Sequence, residues 1–271
     1  MTKLHEITSR RELFVNLTLR ELRGKYKRSA LGWAWSLLNP LTTMAIYSFV
    51  FGYFLKVTPD PGDPSELKSF AFYLICGLIP FNFVSNALNG AAVTLTGNAN
   101  LVNKTYFPRE ILVGANTGSW LVQFFIELGL LSVALVFVGN VVLVWLPLIL
   151  LMVAIETVFV LGLALMLAPA AVYFRDLQHL IVLVMQVWFF SAPIVYPISY
   201  VTDRFPVGSW QYTLYSLNPM VRFVGAYRDL MYNLRAPSFG DVAYLMVVAA
   251  AVMVAGAWVF GRLEGRLAEE L

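Results

Sequence analysis

The stretch that decides the fold is VVLVWLPLILLMVAIETVFVLGLALML, residues 141–167, in which Glu156 is the one charged side chain. A helix of about 20 apolar residues can cross the roughly 30 Å hydrocarbon layer of a bilayer. No water pairs with the backbone at that depth, and the alternating polarity of a barrel strand is absent, so such a run must be helical. Similar runs occupy residues 31–55, 70–95, 111–138, 180–196 and 244–260. The sequence therefore predicts an all-α polytopic membrane protein with six transmembrane helices.

The composition agrees with this class, because 59% of the 271 residues are hydrophobic and 13% are charged. A soluble core does not bury that much apolar surface. The net charge of +3 comes from a basic N-terminal segment, which predicts contact with membrane lipids and no nucleic-acid partner. The single cysteine, Cys76, lies in an apolar run, so no disulfide framework is expected. Mostly amphipathic and charged residues precede the first apolar run, so we expect no cleavable signal peptide.

The distribution of basic residues predicts the orientation, because cytoplasmic loops carry the excess of Lys and Arg. Thirteen basic residues fall on the side that holds both termini and six fall on the other side. We therefore expect a multi-pass protein of the cytoplasmic (inner) membrane with both termini inside. Three segments follow from this: an interfacial helix at 1–30, a six-helix transmembrane domain at 31–262, and a cytoplasmic tail at 263–271. The six basic residues on the outer side are Lys56, Lys68, Arg204, Arg222, Arg228 and Arg235.

The boundary between the fourth and fifth spans depends on the polar break at residues 174–179. A chain with five spans would bury Arg175 and Asp176 in lipid, at a cost of several kcal/mol. This cost favours six spans over five.

The outer side carries one long segment, Ser199 to Asp241, in addition to a tight turn predicted at Gly139 and Asn140. A connection of about forty residues is too long for a mere link between helices. Within it, Asn218 and Pro219 have the pattern of an N-cap followed by the first helical residue. The residues Phe223, Tyr227 and Leu230 then recur at helical spacing. We expect a short interfacial or re-entrant helix here, before the last span.

An amphipathic helix is predicted at the N-terminus, where Ser9 and Glu12 have the spacing of a capping box. Such a helix lies in the inner interface, with its apolar stripe in the acyl chains and its cations among the phosphates. The pattern fits a passive anchor and a moving or partner-contacting element equally well. The stripe is Val15, Leu19, Leu22 and Tyr26, and the cations beside it are Arg20, Arg23 and Lys27.

The cytoplasmic segment Gly97 to Glu110 has room for one or two helical turns, with Asn98 or Asn100 as cap and Pro108 at its end. Its short length favours a simple loop. Its apolar side chains instead suit a docking element for a soluble partner. Those side chains are Leu101, Val102, Tyr106 and Phe107.

Glu127 and Glu156 lie in the middle of the third and fourth spans, where an ionised carboxylate is costly. We expect each carboxyl to be protonated or paired. No Lys, Arg or His is expected to face them at matching depth, and there is no chain of acids for a relay. Interhelical hydrogen bonding is therefore favoured over proton transfer.

Several catalytic and nucleotide-binding motifs are absent from the sequence. It contains no GxxxxGK[ST] phosphate loop, no HExxH, no GxSxG and no CxxC. The chain is therefore expected to bind no cofactor or metal, to have no catalytic residues, and to depend on an energy source elsewhere.

Four motifs resemble a known family in order and spacing. They are YKRSALGWAWSLLNP at 26–40 leading into IYSFVFG, NKTYFPREIL at 103–112, FRD at 174–176, and the pattern from Asn218 and Pro219 to Arg228. Over nearly the whole chain they are similar to the permease subunits of polysaccharide ABC exporters. These are ABC-2 type permeases that export O-antigen, capsule, teichoic acid or related glycans.

The resemblance implies a homodimer of six-span permeases, driven by two copies of a separate nucleotide-binding ATPase subunit. ATP and Mg²⁺ are used by that ATPase and not by the permease. The substrate implied is a polyprenyl-pyrophosphate-linked glycan that moves from the inner to the outer leaflet, as in lipopolysaccharide biosynthesis.

The resemblance also implies roles for parts of the chain. The N-terminal helix and the loop between spans two and three contact the ATPase, through Arg20, Arg23, Lys27, Asn100, Leu101, Val102, Tyr106, Phe107 and Arg109. The first and fifth spans line the conduit, where an aromatic cluster larger than an interfacial belt needs would suit sugar rings. That cluster is Tyr47, Phe51, Tyr53, Phe54, Trp188, Phe189, Phe190 and Tyr196. An outer gate is formed by Asn218, Pro219, Phe223, Tyr227 and Arg228.

Three other functions compete with glycan export. A drug or lipid exporter of the same superfamily would have the same architecture. A proton-coupled carrier would need an intramembrane relay and usually inverted repeats. A membrane-embedded glycan-transferring enzyme would need paired acids on an outer loop, where Asp203 and Asp229 are available but isolated.

Overall fold

The computed structural model describes residues 3–25, 32–104 and 107–267. These residues form helices and connecting segments without a β-strand, which confirms the predicted all-α class. In chain order the helices are α1 (Lys3–Lys25), α2 (Trp35–Tyr47), α3 (Phe70–Gly97), α4 (Ala99–Lys104), α5 (Glu110–Phe137), α6 (Leu146–Tyr173), α7 (Leu177–Ser191), α8 (Ser199–Arg204), α9 (Trp210–Ser216), α10 (Pro219–Arg228) and α11 (Phe239–Leu263). Single turns of 3₁₀-helix lie at Gly32–Ala34, Val142–Trp145 and Glu264–Arg266, and π-helical turns at Ser48–Phe54 and Asp229–Asn233.

Four of the described helices, α3, α5, α6 with its preceding 3₁₀ turn, and α11, are long and apolar enough to cross a membrane. They coincide with the predicted second, third, fourth and sixth spans. The chain is therefore a multi-pass membrane protein.

The predicted first and fifth spans have a different form. The first is the 13 residues of α2 continued by seven residues of π-helix. The fifth is α7, with 15 residues. At 1.5 Å per residue, α7 is about 22 Å long, shorter than the hydrocarbon layer. It ends early because Ala192 takes an extended conformation before Pro193, which disfavours a helical residue in front of it.

The capping box predicted at Ser9 and Glu12 is wrong, because the helix already begins at Lys3 and Ser9 lies inside it. The residues from Lys3 to Arg23 contain no Gly or Pro to interrupt it. One face packs on α5, where Gly114 and Gly118 leave room for the Phe14 ring. Val15 and Leu19 are exposed, so they are available to acyl chains.

The predicted cap of α10 is confirmed, because the Asn218 side chain accepts a hydrogen bond from the Met220 backbone N–H at 3.0 Å and Pro219 begins the helix. The helix packs between α3, α6 and α11. Its residues Phe223 and Tyr227, like Leu230 just beyond it, are fully buried. The predicted turn at Gly139 is also confirmed, with a φ of +96°.

The connections predicted to be cytoplasmic contact one another at one end of the helices, and those predicted to be outside contact one another at the other end. At one end, Tyr173 donates to the Leu263 carbonyl at 3.0 Å and Arg109 to the Glu264 carbonyl at 2.6 Å. At the other end, the Asn140 side chain donates to the carbonyls of Met231 and Tyr232 at 3.2 and 3.1 Å. The predicted cytoplasmic segments therefore lie together, away from the predicted outer ones.

Candidate functional site

A groove opens between α2, α3 and α7, with a volume of about 340 Å³. Aromatic rings form part of its lining. The Tyr47 and Phe189 rings stack with their centroids 5.8 Å apart, and the Phe189 centroid lies 5.3 Å from that of Phe81 and 5.1 Å from that of Phe190. Three of the eight predicted conduit residues, Tyr47, Phe189 and Phe190, are thus brought into one groove.

The other predicted conduit residues lie elsewhere. Phe51 packs edge-on against Tyr47 at 5.9 Å. Tyr53 and Phe54 are each 74% exposed and contact the Phe49 ring. The remaining two predicted residues, Trp188 and Tyr196, make hydrogen bonds toward the outer segment. The aromatic set does not form one continuous surface within this chain.

The groove also has a polar wall, which sequence reasoning did not single out. It is formed by Thr43, Asn82, Ser85, Asn89 and Gln186, which stand on the same three helices as the aromatic side chains. The available signal was the spacing of Asn82, Ser85 and Asn89, which stand at i, i+3 and i+7 within an apolar run.

The end of α7 is joined to the beginning of α10 by hydrogen bonds. The Trp188 indole N–H donates to Asn218 Oδ1 at 2.8 Å, and Asn218 Nδ2 donates to the Ser191 hydroxyl at 3.2 Å. The Trp188 ring also meets the Phe159 ring on α6, and Phe159 in turn contacts Phe223. A predicted conduit residue and predicted gate residues are therefore in direct contact.

The segment that follows α7 is held by Arg228. This arginine is 5% exposed, and its guanidinium lies 3.6 Å above the Tyr73 ring centroid. It donates to the carbonyls of Tyr73 at 3.2 Å and Ile194 at 2.8 Å, and also to the Pro193 carbonyl. Backbone carbonyls outside a helix need such donors at membrane depth, because lipid offers none. Within the described residues it makes no ion pair with a carboxylate.

Tyr227 connects α10 to the interior of α6. Its hydroxyl donates to Glu156 Oε2 at 2.8 Å, and both side chains are fully buried. The other carboxyl oxygen, Oε1, has no hydrogen-bond partner in the described part of the chain. The predicted interhelical hydrogen bond is confirmed for Glu156. For Glu127 the observed bond stays within α5, from Gln123 at 2.9 Å.

A polar cavity of about 620 Å³ lies beside Arg228 at the predicted outer end. Three ion pairs line it: Arg222–Asp241 at 2.6 Å, Arg235–Asp229 at 2.8 Å and Arg235–Asp63 at 3.7 Å. Close by, burial raises the pKa of the Tyr215 hydroxyl, which lies 3.4 Å from the Tyr196 hydroxyl. In the ranges that the structure describes, no three His, Cys, Asp or Glu side chains come together as a metal site.

At the predicted inner end, the loop predicted between spans two and three contains the short helix α4. Arg20 of α1 donates to the Asn98 side-chain oxygen at 2.6 Å, so α1 and this loop are in contact. Asn100, Arg20 and Arg23 are exposed. Val102 is 5% exposed, and Leu101 and Phe107 pack against the core of this chain. Two other predicted contact residues, Lys27 and Tyr106, lie outside the described residues.

The sequence matches the family of ABC-2 type transporters over residues 12–232, which is most of the chain. This chain belongs to the ABC-2 type transporter family. The match runs from the third turn of α1 to just beyond the end of α10 and excludes α11.

Individual relatives are similar over most or nearly all of the chain. The chain is 28% identical to the O-antigen export system permease protein RfbA of Myxococcus xanthus, over 99% of this chain and 98% of the relative. It is 26% identical to the O-antigen export system permease protein RfbA of Klebsiella pneumoniae, over 96% of this chain and 95% of the relative. It is 24% identical to the polysialic acid transport protein KpsM of Escherichia coli, over 79% and 78%. The resemblance seen in the motifs is confirmed.

Proposed function

We propose that this chain is the transmembrane half of an ATP-driven exporter that moves a polysaccharide across the cytoplasmic membrane. The observation that carries this proposal is the similarity to O-antigen export permeases over 99% of the chain. A similarity of that extent includes α7, the outer segment and α10, and is not limited to a shared hydrophobic pattern.

The energy source in this proposal is a separate ATPase subunit that uses ATP and Mg²⁺, since the permease sequence has no phosphate loop. Its docking surface is formed by α1 and the α4 segment. The contact of Arg20 with Asn98 supports this, because it makes the two elements one surface. The exposed side chains Arg23 and Asn100 are the polar contacts that this surface offers.

Two copies of this chain would form a homodimer with one shared conduit. The fifteen residues of α7 leave Val182, Leu183, Val184 and Val187 more than half exposed, which supports a second copy as their cover. We also propose six membrane passes with both termini on the cytoplasmic side. This agrees with the contacts that place the predicted inner connections at one end of the helices and the predicted outer connections at the other. The gate of this conduit is the α7–α10 junction, and its cargo is a polyprenyl-pyrophosphate-linked glycan.

The test is to delete the gene in its host and complement it. Loss of surface polysaccharide, with lipid-linked glycan accumulating inside, is the expected result, and the wild-type gene restores export. The tagged protein should also co-purify with an ATPase that is absent from the same preparation of an unrelated membrane protein. Unchanged surface polysaccharide in the deletion strain, with altered drug or lipid efflux, would replace the proposal with the drug or lipid exporter.

A further inference from the structure

We propose that the polar wall of the α2–α3–α7 groove is a binding site for the hydroxyl groups of an uncharged glycan. This inference rests on the proposed function and adds the chemistry of the sugar that the groove accepts.

The first argument is placement. Asn82, Ser85 and Asn89 lie on one face of α3, and Gln186 stands on the facing side of α7, one helical turn before Phe189. Neutral polar side chains are costly against lipid tails, because those tails offer no hydrogen-bond partner. Their presence along one groove indicates that this surface meets something other than lipid.

The second argument is unused hydrogen-bonding capacity. Asn89 Nδ2 donates to the Ser85 carbonyl at 2.7 Å, whereas Asn89 Oδ1 is covered and has no partner among the described residues. An unpartnered buried acceptor is unfavourable, because it has lost its hydrogen bonds to water without gaining another. Rotation of this amide toward the groove would turn its oxygen to a hydroxyl donor, and would remove that cost when a glycan is present.

The third argument is charge. None of the described residues that line this groove is ionisable as an acid or base at neutral pH, whereas the outer cavity contains four Asp and three Arg residues. A pyrophosphate or an acidic sugar would need cationic partners. Amides and hydroxyls pair with sugar hydroxyls without a charge. The same groove contains Tyr47 and the half-exposed Phe190, whose ring surfaces suit the apolar faces of sugars. The groove therefore fits neutral sugar units.

The first experiment compares matched variants in the host. The change N82A/N89A is expected to lower surface polysaccharide at least threefold, while thermal stability and ATPase co-purification stay at the wild-type level. S85A is a smaller change and should give a smaller loss. The controls are N86A, a half-buried asparagine on α3 outside the groove, and S132A, a half-buried serine on α5; both should export normally.

The second experiment measures binding directly. Oligosaccharides cut from the host's own surface polysaccharide are added to the permease–ATPase complex in nanodiscs, and contact is detected by saturation-transfer NMR. We expect a signal that N82A/N89A removes and N86A keeps. Wild-type export by N82A/N89A, an unchanged NMR signal, or an exported glycan with an acidic sugar in every repeat would each overturn this proposal. Normal surface polysaccharide after deletion of the gene would instead overturn the proposed function itself.

Discussion

At the scale of single residues, Arg228 has an unusual position, because a buried guanidinium is satisfied by three backbone carbonyls and an aromatic ring. The change R228M removes the donors and leaves the buried carbonyls of Pro193 and Ile194 unpaired, each costing about 1–3 kcal/mol. We expect a loss of about 3 kcal/mol or more of stability, measured by thermal unfolding in detergent. R228K should rescue little, because an ammonium lacks the planar fork. The exposed Arg204 provides the control R204M, and equal loss in both variants would contradict this role.

The Glu156–Tyr227 hydrogen bond gives a second prediction at this scale, since it decides between packing and proton transfer. E156Q keeps an acceptor for the Tyr227 hydroxyl, so we expect near-normal stability and export. Y227F leaves the buried carboxyl without that donor and should lose about 1–3 kcal/mol. Thermal unfolding and surface glycan are measured together. A folded E156Q protein that no longer exports would show that the proton of Glu156 takes part in transport, as in a carrier.

At the scale of elements, the crossing of α6 and α11 depends on two glycines. A Cβ at Gly162 would lie 2.7 Å from the Met253 backbone nitrogen, and one at Gly256 would meet the Gly162 carbonyl. Such close approach of backbones is how helices associate in lipid. We expect G162A and G256A each to cost about 1–3 kcal/mol, seen in the thermal midpoint. Gly129 of α5 has open space around it, so G129A is the control. Equal thermal midpoints for G162A, G256A and G129A would show that α6 and α11 can move apart to accommodate the added methyl group.

At the scale of the whole molecule, the grouping of connections predicts which residues share a side of the membrane. With Cys76 first replaced, single cysteines at Asp60 and Gly208 should react in intact cells with an impermeant thiol reagent. A cysteine at Asn103 should react after the cells are opened. Asp60 lies in the connection before α3, Gly208 lies between α8 and α9, and Asn103 lies in α4. Labelling of Asn103 from outside would reverse the orientation or change the number of passes.

Much of the architecture followed from hydrophobic length alone, because a run such as residues 141–167 has one stable form in lipid. The start of α10 was also predictable, because an Asn–Pro pair is a local signal that needs no distant partner. The N-terminus of α1 was not, because a capping box is a weak local preference and nothing before Ser9 interrupts a helix. Hydropathy also could not predict that the fifth span divides into α7 and a buried loop, because the residues on both sides of Pro193 are equally apolar.

The sequence by itself determined the class of the protein, its apolar helices, the family resemblance and the aromatic content of the first and fifth spans. Only the tertiary structure decided which of those aromatics share a groove, that Asn82, Ser85 and Asn89 face Gln186, and that Arg228 holds the end of α7. The physical reason is that hydrophobic runs and caps act within one helical turn or one bilayer thickness. The groove and the arginine contacts join residues more than thirty positions apart, and packing alone brings those together.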